Sequence, residues 1–158
     1  MIEMLCNYNE NLMLHAYFDF LAEFIKVHYT NFTQDNLQLF LNSLVNRITK
    51  EMTKSEGKQN KKTLNLKAKT PIKLASSKAN IRINKCWNTI RFIVEHDYFA
   101  NKFLDIIEET LMPLFEYIVK PSSIDFDDDI IFCLCSIIKK SKTVSPSLRK
   151  IFPFLRDF

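Results

Sequence analysis

An all-α fold is what this sequence predicts, and three observations carry the prediction. The 158 residues hold a single glycine, Gly57, whereas tight two-residue hairpins call for glycine at their turns, so a multi-stranded antiparallel protein is disfavoured. The hydrophobic fraction is 47% and includes 14 Phe, enough to build a packed core. Apolar residues recur at three- and four-residue spacing along most of the length, the period of helices buried on one face. The scarcity of glycine also argues against a Walker loop, a dinucleotide fingerprint, a nucleophile elbow and a calcium loop, because each turns sharply or approaches its ligand through glycine.

The first helix is expected from about Asn9 to Tyr29. Leu14, Tyr17, Phe18, Leu21, Phe24, Ile25 and His28 share one face, and Met13 and Phe20 widen it, so neighbours on two sides are expected. Asn31-Phe32-Thr33 breaks the pattern, with Thr33 as N-cap. A second helix follows from about Gln34 to Thr53, with Leu37, Phe40, Leu41, Leu44, Val45 and Ile48 opposite Asn42, Asn46, Arg47 and Lys50. A connection this short predicts an antiparallel helical hairpin.

From Lys54 to Lys78 the periodicity is lost. Eight lysines face one acid there, a charge of +7, so the rest of the chain carries −3 of the net +4. The segment reads as a flexible basic loop. Lys58, Lys61, Lys62, Lys67 and Lys69 are candidate contacts to an acidic partner. Nucleic acid is one such partner, although the loop has no aromatic residue on which bases would stack.

A third helix is marked by Ile83, Cys86, Trp87, Ile90, Ile93 and Val94 and should end near His96-Asp97. The fourth runs from about Ala100 to Val119 through Phe103, Leu104, Ile107, Leu111, Leu114, Phe115 and Ile118. Pro113 lies inside it, and a kink is expected near Glu109 to Leu111 because proline lacks the backbone donor and crowds the preceding turn. Ser122 or Ser123 should cap a fifth helix. Its first turn carries Asp125, Asp127, Asp128 and Asp129 and its last turn Lys139, Lys140 and Lys142, an order the helix dipole favours. Ser145-Pro146 opens a short sixth helix.

The layout is thus a first helical hairpin in 1–53, a basic loop in 54–78 and two further hairpins in 79–158. The last two are spaced at roughly 40 residues, the period of HEAT-type repeats. The expected architecture is an α-α superhelix, an ARM/HEAT-like solenoid of about three hairpins.

No constellation in the sequence points to catalysis, and neither a cofactor nor a metal is expected. Cys133 and Cys135 are two apart on a helix, about 200° round its axis, so their thiolates cannot converge on one metal. Both are expected to be buried, as is usual for free thiols in a reducing compartment. His15, His28 and His96 form no ligand pair and are expected at core or boundary positions. Asp125, Asp127, Asp128 and Asp129 lack the glycine and ligand spacing of a calcium loop; they read as helix-start acids and as candidate contacts for a basic cargo. With no signal peptide and no apolar run near the roughly 20 residues a bilayer requires, a soluble intracellular protein without membrane contact is expected.

Several short features, taken in order, resemble the importin-beta superfamily of nuclear transport receptors, and within it the importin-seven/importin-eight type and its fungal relatives. They are Asn88-Thr89-Ile90, then Ile106-Ile107-Glu108-Glu109-Thr110-Leu111-Met112-Pro113-Leu114, then Asp125-Phe126-Asp127-Asp128-Asp129-Ile130. Ser145-Pro146-Ser147-Leu148 and Ile151-Phe152-Pro153-Phe154-Leu155 close the series. Similar elements stand in this order towards the C-terminal part of receptors several times longer. Two positions depart from the pattern: Arg149 stands where an aromatic residue is typical, and the loop after the second helix is basic rather than acidic or neutral. The resemblance implies part of a receptor that binds protein cargo in the cytoplasm, crosses the pore of the nuclear envelope through Phe-Gly nucleoporins and releases cargo in the nucleus to the GTP-bound Ran GTPase. The Ran contact is implied for the longer receptor rather than for these helices. A small stand-alone helical scaffold subunit of a larger, RNA-containing complex is the alternative.

Overall fold

The computed structural model describes residues 14–59, 77–119, 128–141 and 146–155. Every element among them is helical: α1 (Leu14–His28), a 3₁₀ turn (Tyr29–Asn31), α2 (Gln34–Gln59), α3 (Ser77–Glu95), α4 (Asp97–Val119), α5 (Asp128–Lys140) and α6 (Pro146–Leu155). The all-α expectation therefore holds.

Local chemistry explains the junctions. Between α1 and α2, the Phe32 N–H donates to the Tyr29 carbonyl at 3.3 Å and closes the 3₁₀ turn. Thr33 is the N-cap foreseen for α2: its Oγ1 accepts from the Asn36 N–H at 3.4 Å, while its carbonyl accepts from Leu37 N–H at 3.0 Å. Phe32 before the cap and Leu37 four residues after it are both buried in the same core, the positions of a hydrophobic staple. Between α3 and α4 one residue suffices. The carbonyl of His96 accepts from Phe99 and Ala100 N–H, and its Nδ1 accepts from Tyr98 N–H at 3.3 Å, so the imidazole caps α4.

Three expectations about helix limits and shape are corrected. The second helix continues past Thr53 to Gln59, so Lys54, Gly57 and Lys58 are helical rather than part of a loop. Lys, Glu and Gln are good helix formers, and they prolong the helix beyond its last apolar residue. The fourth helix starts at Asp97, one turn earlier than expected. Its one non-helical residue is Phe103 (φ −136°, ψ 20°), ten positions before Pro113, and the helix passes through Glu109–Leu111 unbroken. Pro113 is exposed. The Phe103 ring meets those of Tyr98 and Phe99, in the preceding turn of the same helix, at 6.1 and 6.5 Å. Ser122, Ser123 and Ser145 lie outside the described residues.

The helices pack in two rows. α1 lies on α3 and α3 on α5; α2 lies on α4 and α4 on α6. The rows are stitched by α2 on α3, α3 on α4 and α4 on α5. The close backbone approaches of α1 are to α3 and the 3₁₀ turn rather than to α2, so the first two helices do not form the tight pair that their short connection suggests. One core runs between the rows. It includes Leu37, Phe40, Leu41, Leu44 and Ile48 of α2, Cys86, Trp87, Ile90, Ile93 and Val94 of α3, and Ile107, Leu111, Leu114, Phe115 and Ile118 of α4. These are the stripes that the sequence spacing singled out.

Two buried polar groups on α4 have measurable consequences. Thr110 Oγ1 is buried without a hydrogen-bond partner among the described residues, and a buried hydroxyl left unpaired costs about 1–3 kcal/mol. Thr110→Val keeps the shape and removes the hydroxyl. It should raise stability by about 1 kcal/mol, seen as a rise in melting temperature of about 2–4 °C; a fall would show that the hydroxyl has a partner.

Glu108 is buried one turn from Asp105, and its carboxyl is pushed above the usual range, first by burial and then by the Asp105 charge, with a hydrogen bond to Ser141 opposing both. A raised pKa means that the folded chain keeps a proton the unfolded chain has already lost. Stability therefore falls as pH rises through that interval, and Glu108 is a standing cost above it. Glu108→Gln should raise the melting temperature at pH 7 and give little change at a pH below the normal glutamate range. An equal shift at both pH values would mean that packing rather than ionisation is responsible.

Candidate protein-binding surfaces

Of the residues singled out for acidic and basic contacts, three fall on described elements. Asp128 and Asp129 open α5, while Asp125 and Asp127 lie outside the described residues. Lys58 falls in the last turn of α2, and Lys61, Lys62, Lys67 and Lys69 lie outside the described residues. The helices that pack closely on α2 are α3 and α4, not α5, so Lys58 and the acidic start of α5 are on elements without close packing.

The cysteines and histidines occupy unlike environments. Cys86 is buried, and burial, more than the opposed charges of Arg47 and Glu51, pushes its thiol up to about 12, which leaves it unreactive at neutral pH. Cys133 is buried as expected, but Cys135 is exposed. The 200° between them puts one in the core and one on the outside. His28 was expected on the apolar face and is instead exposed at the end of α1, its ring 4.8 Å from Phe24. His96 is the boundary residue anticipated: beyond its capping role it packs on Tyr29 at 4.4 Å and Phe92 at 5.2 Å. Among the described residues no group of three or more His, Cys, Asp or Glu side chains could hold a metal ion, and no helix is long and apolar enough to cross a membrane.

What the surface offers is apolar side chains at helix faces. Phe20 and Val27 on α1 are 51% and 69% exposed, and Ile131 on α5 is 43% exposed. Leu39 on α2 and Tyr117 on α4 are exposed to a lesser degree. The apolar pattern pointed to a neighbour beside Phe20, whereas Val27 and Ile131 went unmarked because each stands next to the core stripe in sequence. A wheel projection anchored on Leu21 and Ile25, or on Ile130 and Cys133, would have set them apart.

Polar ties fix how the first row is assembled. Lys85 of α3 bonds to Asp19 of α1. At the other side of α3, the Arg91 guanidinium sits 3.8 Å over the Phe132 ring of α5 and also meets Glu95 at 3.6 Å. Lys140 at the end of α5 donates to the Glu95 carbonyl at 2.5 Å and to Asp97 at 3.2 Å, which satisfies an orphan acceptor at the C-terminus of α3. These pairs are partly or largely exposed, so they fix orientation more than they stabilise.

No protein-family model matches the chain, and no match is found among curated proteins or solved structures.

Proposed function

We propose that the chain is a segment of an ARM/HEAT-like α-solenoid that binds proteins, and that it serves as part of an importin-beta-type nuclear transport receptor. The observation that carries this reading is the packing of alternate helices, α1 on α3 on α5 beside α2 on α4 on α6. In a repeat array each hairpin touches its neighbours only, and close packing of every helix on the next but one is the pattern such stacking produces. The transport assignment rests on the ordered features from Asn88 to Leu155 and on the apolar side chains left at helix faces. On this reading the chain consumes no substrate; it offers grooves between neighbouring helices to Phe-Gly repeats and to cargo, and Asp125, Asp127, Asp128 and Asp129 are the contact offered to a basic cargo.

The test is binding of a fluorescent Phe-Gly repeat peptide to the purified chain at several salt concentrations. Weak binding that is insensitive to salt is expected, because the contact is apolar. Replacing Lys58, Lys61, Lys62, Lys67 and Lys69 by Gln should leave it unchanged. Tight RNA binding that falls steeply with salt, with no Phe-Gly contact, would overturn the transport reading in favour of a helical scaffold subunit of an RNA-containing complex.

A further inference from the structure

We draw no further inference here: the strongest candidate, the exposed apolar side chains Phe20 and Val27 on α1 and Ile131 on α5, the two end helices of one row, carries nothing because nothing in the structure shows what covers them.

Discussion

Replacing Trp87 with alanine will remove about 3–5 kcal/mol of stability, the largest single loss expected in this chain. Trp87 is the one tryptophan, it is 1% exposed, and it lies stacked on Phe115 of α4 with ring centroids 6.0 Å apart and planes 21° from parallel. It stands in the middle of α3, which packs on α1 and α5 in its own row and on α2 and α4 in the other, so the cavity it leaves cannot collapse without moving neighbouring helices. Domains of this size are held by about 5–15 kcal/mol in all, so the variant should melt about 10 °C lower or more. Trp87→Phe keeps a ring against Phe115 and should lose much less. In the parent protein the indole is its own probe: its emission should shift to the red in one step as denaturant is raised. A Trp87→Ala variant that melts within a degree or two of the parent would mean that α3 is not the centre of the core.

The stripe that contains Trp87 is legible in the amino-acid sequence. Cys86, Trp87, Ile90, Ile93 and Val94 repeat with the helical period, and burial follows that period because an amphipathic helix has one way to hide its stripe. The same logic placed the cores of α2 and α4. It failed at bends, at helix limits and at surfaces. Proline has a known local cost, so Pro113 drew the expected kink, yet the bend lies at Phe103, a bend that the apolar spacing does not mark. Lysine and glycine after Thr53 read as loop, yet the helix runs on without an apolar stripe to Gln59. The surfaces were harder still. A row of helices is defined by which helix lies on which, and spacing along one helix cannot show that α1 approaches α3 rather than α2. Hence Phe20 could be marked as part of a widened face, but the open end to which it belongs could not. The acidic and basic residues proposed for partners were legible as charge, and charge along a sequence carries no information about what a side chain meets.

Phe99→Ala is the second large effect, again about 3–5 kcal/mol, and its consequences should be confined to one corner. Phe99 is fully buried, and its ring meets Phe32 at 5.8 Å, Tyr98 at 5.6 Å and His96 at 5.8 Å. Phe32 in turn meets Phe40 at 5.7 Å and Phe24 at 6.4 Å, so one ring links the start of α4 to the 3₁₀ turn, the start of α2 and the outer ridge of α1. Tyr98 reinforces the joint from outside, its hydroxyl donating to the Thr30 carbonyl at 3.1 Å. Edge-to-face pairs of this kind couple by about 0.5–1.5 kcal/mol beyond the area they bury, so Phe99→Ala and Phe32→Leu should cost less together than the sum of the two alone. Amide hydrogen exchange should speed up along α1 and the first turns of α2 while α5 keeps its protection, because α5 is held to α3 by the independent contacts of Arg91 with Phe132 and Lys140 with Glu95. Uniform loss of protection across all the helices would instead mean that the two rows unfold as a single unit. The aromatic joint would then be one more part of a common core rather than the hinge on which α1 and α2 are hung.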